Sequence, residues 1–490
     1  MTELKQADFT ALELQADGAF LEANFKYVLV QDGVNIYRNG ILHLGLKGDY
    51  YIMETIACGI CCTDCARPFL PYPLPQIIGH EVVVSVPQSI RKNGSTIGVV
   101  EINNSHKSHG SSVPCPYCES GLSSQCPARI TMGINSWPGG LAKYIVVPKF
   151  NLYQIPTELN LSPNTATLIE PFAAALHGVN TVWKGGKDYA ILGAGKLGLL
   201  TIAALAISRN RFDHDITITA ILRTEKNKEE ALLFGANKVI ITDGKPIEES
   251  FDVVFDTTGS ADGLEYATAI AKNEVHLKST HGQPMLGFKH FTELVVSEIS
   301  MIPFSQKELD FNCNGSVNAN IYVAESVPEE ITKLITDTNR NIYQNSTANA
   351  DNWLENGGGS VLMSEGSKLP RFDLAVCTSA KEVDDIVTPN SSHDRSLVRV
   401  RGAILIANPK ENSLLEAINS RQIKITTSRC GDFNDAIRVL SQPTSSTLVQ
   451  NLERLITHQF RLEELPSALD IVSGKQKTEK KLLKVVLTAK

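Results

Sequence analysis

The chain has 490 residues, of which 42% are hydrophobic and 20% are charged. A chain of this length and composition can bury a large core, and two or three domains are expected. Its formal net charge of -7 argues against a nucleic-acid surface, and its mean hydropathy of -0.06 argues against a membrane protein. The first 25 residues contain neither an apolar nor an Arg-rich targeting segment, so we expect a cytoplasmic protein and favour a soluble enzyme.

The cysteines are concentrated in one region. Seven of the ten lie between positions 58 and 126, and such clustering in a long chain is typical of metal binding rather than of a disulfide scaffold. Cys313, Cys377 and Cys430 lie apart from this region in apolar surroundings, and we predict that they are small core residues.

The first third of the chain alternates short β-like runs with turns. Runs at 25–33, 49–57, 81–86, 96–102 and 142–148 predict an all-β module with long loops. From about Pro171 helical and strand patterns alternate, which predicts a parallel α/β sheet. The apolar stretch from Tyr189 to Ile207 is not expected to span a membrane, because Lys196 and three glycines interrupt it.

The segment from 283 to 397 is enriched in Asn, Ser and Gly and contains few candidate elements. Within it, FDLAVCTSAK at 372–381 is similar to FDVVFDTTGS at 251–260, so the segment contains either a second α/β unit or a chance similarity. Regular patterns return from 398 to the end. The basic run from Lys475 to Lys484 is predicted to be a solvated loop before the closing strand.

A glycine motif follows a predicted strand and opens an apolar helix. Gly193 permits a tight turn, Gly195 allows the backbone to approach a pyrophosphate, and Gly198 allows the helix to pack on the strand. Lys196 and Leu197 complete the loop at the helix N-terminus, where phosphates bind. An ordinary glycine-rich turn is the alternative, but further strands follow at the intervals that dinucleotide binding requires.

The second strand of this sheet ends in Leu222, Arg223 and Thr224, without an acidic residue. A carboxylate here would bind the ribose hydroxyls of NAD, whereas a guanidinium can pair with the 2′-phosphate of NADP. The sequence therefore favours NADP. NAD stays possible if Arg223 is only a solvated charge at the strand end.

Thiols, an imidazole and carboxylates lie close together in the sequence, in the stretch from Cys58 to Asp64 and at His80 and Glu81. These are the ligand types of a catalytic zinc, which keeps a position open for water or substrate. The alternative is a structural four-cysteine site that also uses the neighbouring cysteines. We favour the catalytic site, because adjacent cysteines are difficult to place on one tetrahedral ion. In this interpretation the metal is not bound by Cys58, Cys62 or Cys65.

With the glycine motif, the stretches GICCTD and GHE resemble the zinc-dependent medium-chain dehydrogenase/reductase family, which includes the alcohol and polyol dehydrogenases. The resemblance implies that Cys61 and His80 are the first two zinc ligands, and that Glu81 ligates the metal or lies just behind it. It implies that Thr63 passes the alcohol proton outward, with Asp64 as its neighbour behind the ligands.

The EP pair in LIEPFAAALHGV adds a further position to this resemblance. Pro171 is expected to start a helix and to leave Glu170 at its exposed entrance. The resemblance implies that Glu170 is a zinc ligand or the group that binds the zinc-held water, as in the polyol dehydrogenases. Simple alcohol dehydrogenases carry a cysteine at this position. A polyol or secondary alcohol is therefore favoured. His177 is predicted to be a core or surface histidine.

A second cysteine cluster resembles the lobe of that family that holds a structural zinc with four cysteines, and it consists of Cys115, Cys118 and Cys126. The family spacing would put the remaining ligand at Ser112, and serine cannot replace a thiolate at neutral pH. Either the site has lost its metal, or His106 or His109 completes a set of three cysteines and one histidine.

The resemblance implies an α/β protein with a GroES-like β domain plus a Rossmann doubly wound parallel sheet, with an insertion of unknown role. We expect the GroES-like zinc domain at 1–165 and 443–490. The NAD(P)-binding Rossmann domain is expected at 166–442, with the insertion at about 283–397. The cleft between the domains is expected to hold the substrate.

We therefore expect a zinc-dependent oxidoreductase that transfers a hydride between a secondary alcohol or polyol and NAD(P). Zinc held by Cys61, His80 and Glu170 would act as a Lewis acid, and Thr63 would relay the proton. The alternatives are a zinc-free NADPH reductase of the same fold and a catalytically silent dinucleotide-binding protein. The expected partners are a small-molecule alcohol or ketone and further copies of the chain in a homo-oligomer, with no nucleic acid and no membrane.

Overall fold

The structure is a computed structural model. It describes residues 3–106, 108, 115–119, 123–126, 128–182, 184–212, 215–278, 284–289, 291–312, 319–336, 341–343, 360–362, 368–393 and 395–489. The chain divides into two compact units. The first unit comprises Met1–Leu176, Asn210–Phe212 and Cys430–Lys490, and the second comprises His177–Arg209 and Asp213–Arg429.

Strands occur throughout both units. In chain order they are β1 (Gln6–Leu14), β2 (Phe20–Val30), β3 (Gly33–Arg38), β4 (Ile41–Lys47), β5 (Tyr50–Gly59), β6 (Glu81–Ser85), β7 (Ile97–Val100), β8 (Asn103–Asn104), β9 (Ile130–Met132), β10 (Ser136–Trp137), β11 (Tyr144–Pro148), β12 (Leu152–Gln154), β13 (Asp188–Leu192), β14 (Thr217–Leu222), β15 (Lys238–Ile241), β16 (Phe251–Asp256), β17 (Ala271–Leu277), β18 (Ser300–Pro303), β19 (Asn320–Val323), β20 (Asn341–Tyr343), β21 (Ser360–Leu362), β22 (Lys368–Pro370), β23 (Phe372–Cys377), β24 (Val398–Ile406), β25 (Lys424–Thr427), β26 (Ile456–Arg461) and β27 (Lys484–Thr488).

Most helices longer than two turns belong to the second unit. In chain order the helices are α1 (Cys62–Ala66), α2 (Pro116–Glu119), α3 (Pro163–Ala166), α4 (Ile169–Thr181), α5 (Lys196–Phe212), α6 (Lys228–Leu233), α7 (Ala261–Ile270), α8 (Thr292–Val296), α9 (Gln306–Asn312), α10 (Glu329–Thr336), α11 (Ala380–Val387), α12 (Ser413–Arg421), α13 (Phe433–Leu440), α14 (Ser446–Leu452) and α15 (Leu465–Val472).

The first unit is built mainly from three sheets, as its alternating β-like runs predict. One sheet has the order β1-β2-β3-β4, a second β10-β9-β8, and the third β12-β7-β6-β5-β27-β26, with β11 also paired to β5. Side chains along β2 point alternately to opposite faces, so Ala23, Phe25 and Tyr27 pack in one core while the residues between them are exposed. The strands of this unit therefore bury one face against the unit's own core.

Three strands of the largest sheet of the first unit meet at Gly59, the last residue of β5. Gly59 pairs with Glu81 on β6 and with Val486 on β27. A Cβ atom at Gly59 would collide with the ends of the Glu81 and Lys484 side chains, which would have to move apart. The register thus brings the end of β5, the start of β6 and the C-terminal strand to one place.

The second unit contains an eleven-stranded sheet with the order β15-β14-β13-β16-β17-β25-β18-β24-β23-β19-β20. All neighbouring strands run parallel except β18 and β25. Strands buried on both faces need continuous apolar runs, and β24 supplies one from Ala403 to Ile406. The first six strands have the order of a doubly wound dinucleotide-binding sheet. This confirms the predicted α/β class and its parallel sheet.

The segment at 283–397, which the sequence analysis could not interpret, extends the same sheet. It supplies β18, β19, β20 and β23, and the order β20-β19-β23-β24 repeats the order β14-β13-β16-β17. The similarity between 251–260 and 372–381 falls on equivalent strands, β16 and β23. The second α/β unit, and not the chance similarity, is therefore the correct alternative.

Side-chain contacts at the two equivalent strands match as well. Asp252 Oδ2 accepts a hydrogen bond of 3.1 Å from the backbone N–H of Asp188, the first residue of β13. Asp373 Oδ2 accepts one of 2.9 Å from Asn320, the first residue of β19. Each following helix, α7 or α11, begins after a serine whose hydroxyl accepts a backbone N–H of the first turn.

The repeat does not extend to a second glycine loop. The residues after β19 are Ala324, Glu325 and Ser326, where the first half has the glycine motif. The Ser326 hydroxyl contacts Thr378 and Glu382, and these bonds join the two loops at the carboxyl ends of β19 and β23. Only the first half therefore carries the dinucleotide motif among the described residues.

The observed division of the chain differs in position from the predicted domain boundaries at 165 and 443. The first unit extends to Leu176 and resumes at Cys430. Packing explains the difference, since Phe433 on α13 lies 6.0 Å from the Tyr153 ring between centroids, and Gly431 lies against the backbone of Ala173. These contacts attach the start of α4 and the segment from 430 to 442 to the first unit.

The apolar stretch from Tyr189 to Ile207 is divided between a strand and a helix. Strand β13 ends at Leu192 and α5 begins at Lys196. Among the described residues, no helix combines the length and the apolar character that crossing a membrane requires.

A buried carboxylate holds several segments of the second unit together. Glu298 Oε1 lies 2.8 Å from His177 Nε2 and accepts a bond of 3.1 Å from the backbone N–H of Arg429, while Oε2 lies 2.8 Å from Arg401 Nε. Burial alone would raise the pKa of Glu298, but the hydrogen bonds and charges of His177 and Arg401 lower it to about 2. His177 is therefore a hydrogen-bond partner of this carboxylate at the edge of the core.

The Glu298→Gln variant is expected to lower the free energy of unfolding at pH 7. The carboxyl pKa falls from 4.5 to about 2 on folding. Each pKa unit corresponds to about 1.4 kcal/mol, so the expected loss is about 3 kcal/mol. The ionised Glu298 carboxylate stabilises the fold fully above its ordinary pKa of 4.5, and this stabilisation is lost as the carboxylate is protonated at lower pH. The difference in the free energy of unfolding between variant and wild type should therefore shrink as the pH falls from about 4.5 towards 2.

Urea unfolding at pH 7 and at pH 3 measures this difference. The control is Glu249→Gln, because Glu249 forms an exposed pair with Lys238, and exposed pairs contribute about 0–1 kcal/mol. A loss in Glu298→Gln that is no larger than in the control, or that does not depend on pH, would contradict the assignment.

Candidate functional site

The first unit brings together the thiol of Cys61, the imidazole of His80 and the carboxylate of Glu81. Their ligand atoms all lie within 4.8 Å of one another. Cys61 is the N-cap of α1, His80 immediately precedes β6, and Glu81 is its first residue. The pairing of β5 with β6 positions the two loops, and His80 and Glu81 are buried while Cys61 is half-buried. Three of the predicted ligands therefore form one group, which we call the Cys-His-Glu group.

Asp64 fixes the geometry of this group from behind. Its Oδ2 accepts a hydrogen bond of 2.8 Å from the backbone N–H of Cys61, and its Oδ1 accepts one of 3.1 Å from Gly79. The same Oδ1 lies 3.4 Å from His80 Nδ1, which leaves Nε2 as the ring nitrogen for a ligand. A carboxylate behind a histidine is the usual arrangement that orients a metal-binding imidazole.

The electrostatics of the Cys-His-Glu group favour a positive charge. Burial alone would lower the pKa of His80, but the Asp64 carboxylate and the Cys61 side chain raise it well above its ordinary value. Burial alone would also raise the pKa of Asp64, which His80 and the Cys61 N–H lower instead. A sulfur, a nitrogen and an oxygen donor fit a zinc ion, and a site that stabilises a proton on its imidazole also stabilises a cation.

Lys484 is a member of this site that the sequence analysis missed. Its side chain is fully buried, contacts the Glu81 carboxylate and donates a hydrogen bond of 2.9 Å to the Ile60 carbonyl. Burial lowers the pKa of Lys484 to about 8. The predicted solvated loop is correct from 475 to 480 but wrong at Lys484, which begins β27. The sequence signal that could have indicated a buried Lys484 is the apolar run KVVL, because Lys484 and the buried Val486 lie on the same face of the strand.

Thr63 lies beside the ligands, with its Oγ1 3.7 Å from Cys61 Sγ, and it is half-buried. The other three cysteines of this region are elsewhere. Cys58 is buried in β5, and burial followed by the charge of Asp64 raises the pKa of its thiol well above the ordinary value. Among the described residues, no group of three ligand atoms within 4.8 Å includes Cys58, Cys62 or Cys65. The structure thus gives no four-cysteine site in this region.

Glu170 is not part of the Cys-His-Glu group. Helix α4 begins at Ile169, which is earlier than the predicted start at Pro171, so Glu170 lies in the first turn of the helix and is half-buried. Its charge acts on a different residue, Glu101. Burial raises the pKa of Glu101 to about 7, and the charges of Glu170 and Asp432 add to this effect.

The second cysteine cluster also comes together in the first unit. It has four members whose ligand atoms lie within 4.8 Å of one another: His106, Cys115, Cys118 and Cys126. The two alternative positions that the sequence analysis named, His109 and Ser112, lie outside the described residues.

The second unit contains a cavity of about 920 Å³ around the glycine motif. Gly193 has a φ of 88°, which permits the tight turn, and a Cβ atom at Gly198 would collide with the Gly193 carbonyl. A Cβ atom at Gly195 would meet nothing within 4 Å, so the loop there faces open space. Lys196 and Leu197 lie in the first turn of α5. The loop leaves room for a dinucleotide.

Side chains from neighbouring loops hold the glycine motif in place. Thr257 Oγ1 donates to the carbonyl of Gly193 at 3.1 Å, and Asn227 Nδ2 donates to the carbonyl of Ala194 at 2.6 Å. These two residues follow β16 and β14, the strands on either side of β13. The loop is therefore fixed before any ligand binds.

Arg223 lines this cavity just after the buried end of β14. It is exposed and makes no hydrogen bond or ion pair with any described residue. Lys226, which the sequence analysis did not consider, is a second exposed cation in the lining, and Asp243 is an acidic residue in it. The cations place positive charge where the second strand ends.

Residues 47–157 match the family of the alcohol dehydrogenase GroES-like domain, and this range includes the Cys-His-Glu group. L-threonine 3-dehydrogenase from Pectobacterium atrosepticum is 30% identical over 224 residues, which are 44% of this chain and 58% of that protein. The chain therefore spans less than two thirds of the length of the curated relatives that it matches.

Solved structures of low sequence identity share the fold. A short chain alcohol dehydrogenase from Escherichia coli CFT073, complexed with the cofactor NADH, aligns with a TM-score of 0.52 at 16% identity, covering 98% of this chain and 99% of that one. L-idonate 5-dehydrogenase from Escherichia coli K-12 aligns with a TM-score of 0.51 at 12% identity, covering 99% of each chain. At these identities the similarity concerns the fold.

The Lys484→Met variant tests the buried contact at the Cys-His-Glu group. Methionine keeps the length of the side chain but leaves the buried Glu81 carboxylate without its counter-charge, so the free energy of unfolding should fall by about 3–5 kcal/mol. The double variant Lys484→Met/Glu81→Gln carries neither charge and should recover most of that loss. Urea unfolding measures both. A single variant as stable as wild type, or a double variant no more stable than the single one, would contradict the pairing.

Proposed function

We propose that the chain is a zinc-dependent dehydrogenase of the medium-chain dehydrogenase/reductase family, which the matched GroES-like domain and the L-threonine 3-dehydrogenase relatives support. It transfers a hydride between a secondary alcohol or polyol and NADP(H). The observation that carries this proposal is the Cys-His-Glu group, with Asp64 behind its imidazole. The named substrate of the threonine dehydrogenase relatives supports a secondary alcohol, since carbon 3 of L-threonine bears a secondary hydroxyl.

The residues of the group have separate tasks in this proposal. Cys61, His80 and Glu81 hold the zinc ion, and Asp64 orients the imidazole. Zinc would supply the Lewis acidity that lowers the pKa of an alcohol hydroxyl, and the dinucleotide would supply the hydride chemistry. Thr63, whose hydroxyl lies 3.7 Å from Cys61 Sγ, accepts the hydroxyl proton and passes it outward.

Lys484 sets the charge of the group. The Cys61 thiolate and the Glu81 carboxylate together carry two negative charges, which would neutralise a divalent cation. The buried ammonium of Lys484 offsets the charge of Glu81, so the ligands would neutralise a bound divalent ion less completely than they would without this lysine. Zinc held there would keep more of its capacity to polarise a hydroxyl.

The cavity around the glycine motif binds the cofactor in this proposal. The backbone at Gly195, where there is open space, and the N-terminus of α5 would hold the pyrophosphate. Arg223 pairs with the 2′-phosphate of NADP, and Lys226 adds positive charge nearby. Leu222 supplies no carboxylate to bind the ribose hydroxyls of NAD.

NADPH is expected to bind more tightly than NADH. A charge-assisted hydrogen bond contributes about 1.5–3 kcal/mol, so the preference should be on the order of 10- to 100-fold and should disappear in Arg223→Ala. The double variant Leu222→Asp/Arg223→Ala should prefer NADH, because the new carboxylate accepts from the ribose. Fluorescence titration gives the dissociation constants.

The matched control for the cofactor experiment is Lys228→Ala. Lys228 follows the same strand and pairs with Glu225, but it does not line the cavity, so its removal should leave both dissociation constants unchanged. A wild-type chain that binds both cofactors equally would show that Arg223 does not set the preference.

Zinc is expected to be required for turnover. Cys61→Ser should lose the catalytic zinc and all activity against a panel of secondary alcohols and polyols that includes L-threonine, because a serine hydroxyl is not ionised at neutral pH. The same variant should still bind NADPH, since the cavity lies in the other unit. Elemental analysis, initial rates and cofactor titration are the measurements.

Cys65→Ser is the matched control for this experiment, because Cys65 is a half-buried thiol of the same segment outside the Cys-His-Glu group. It should keep its zinc and its activity. Cofactor binding without zinc in the wild-type chain would support a zinc-free NADPH reductase, and binding of neither would support a catalytically silent protein. Full activity in Cys61→Ser would end the zinc mechanism.

A further inference from the structure

We propose that His106 completes a second zinc site with Cys115, Cys118 and Cys126, and so replaces the fourth cysteine that this chain lacks. The site is separate from the Cys-His-Glu group and serves the folding of its loop. The proposal concerns the metal content of the folded chain, so it does not rest on the proposed dehydrogenase activity.

The distances between the ligand atoms fit a tetrahedral ion. Zinc–sulfur bonds of about 2.3 Å put two sulfurs of a tetrahedral site about 3.8 Å apart, and Cys115 Sγ lies 3.9 Å from Cys126 Sγ. His106 Nδ1 lies 3.0 Å from Cys126 Sγ. A zinc–nitrogen bond of about 2.1 Å requires about 3.6 Å, so the imidazole has to move by roughly half an ångström.

The local backbone presents the cysteines in the way that zinc-binding turns do. Cys115 precedes α2 and Cys118 lies within it, so one helical turn brings the two thiols to the same side. The backbone N–H of Glu119 donates to the Cys115 carbonyl at 2.9 Å and closes this turn. A Cys-x2-Cys pair followed by a separate cysteine is a frequent ligand pattern of structural zinc.

Backbone donors surround the sulfur of Cys126, which is fully buried. The N–H of His106 lies 3.4 Å from this sulfur, and the N–H of Ala128 also donates to it. Such bonds fix the position of the sulfur, as the outer contacts of metal-binding side chains do. His106 therefore contacts Cys126 through both its backbone and its imidazole.

No disulfide competes for these thiols. Among the described residues, Cys115, Cys118 and Cys126 form no disulfide bond with one another or with another cysteine. Three sulfur atoms and one imidazole nitrogen that converge within 4.8 Å make a closed set of four donors. Four protein ligands are typical of a structural zinc, whereas a catalytic zinc keeps an open position.

Zinc content of the full chain tests the proposal, measured in a Cys61→Ser background so that only the second site is counted. We expect about one zinc per chain in this background, about none after His106→Ala, and about one after His106→Cys, which restores four cysteines. His109→Ala is the matched control, since it removes the other histidine of the segment, and it should keep the zinc.

Cobalt substitution supplies a second readout that does not depend on the stability of His106→Ala. In the same background, the thiolate-to-cobalt charge-transfer absorbance per cobalt should rise by about one third in His106→Cys, because the number of thiolates rises from three to four. An unchanged spectrum would overturn the role of His106. Zinc retained in His106→Ala, or lost in His109→Ala but not in His106→Ala, would also overturn it, as would a background variant without zinc.

Discussion

The buried contact between Lys484 and Glu81 joins the last strand of the chain to the loop that carries the candidate metal ligands. Both side chains are fully buried, and removing a charge from water is costly unless a counter-charge is close. Neither residue can therefore be moved without the other. The contact lies directly over Gly59, where the lack of a side chain makes room for both.

A second buried contact, between Asp64 and His80, explains how two adjacent residues can both be ligands. His80 and Glu81 are adjacent, and in a strand adjacent side chains point to opposite faces, but His80 precedes β6 and is oriented by Asp64 instead. Asp64 binds the backbone of both ligand loops. The group thus depends on two buried ionic contacts, one on each side of the ligands.

The sequence predicted those parts of the site in which the chemistry is local. Cys61, His80 and Glu81 fall in short motifs, and the glycine motif lies between a strand and a helix. Lys484 was missed because its partner Ile60 is 424 positions away, and no local pattern shows which strand a terminal lysine will pair with. The site roles of these residues stay predictions that the proposed experiments address.

The fold was predictable in its first half for a similar reason. Parallel strands buried on both faces have continuous apolar runs, so β13, β14 and β16 could be read from the sequence. The segment from 283 to 397 was not readable, because its strands are short and are separated by long polar stretches. What identifies the segment as a second α/β unit is the pairing of β23 between β19 and β24, which is a property of the folded sheet.

Anomalous X-ray scattering at the zinc edge, from a crystal of the full chain, would locate the metal directly. We expect a zinc peak at about 2.3 Å from Cys61 Sγ and about 2.1 Å from His80 Nε2, with the Glu81 carboxylate beside it. A crystal grown with zinc that shows no peak at Cys61 and His80, or a peak held instead by Cys58, Cys62 and Cys65, would contradict the account.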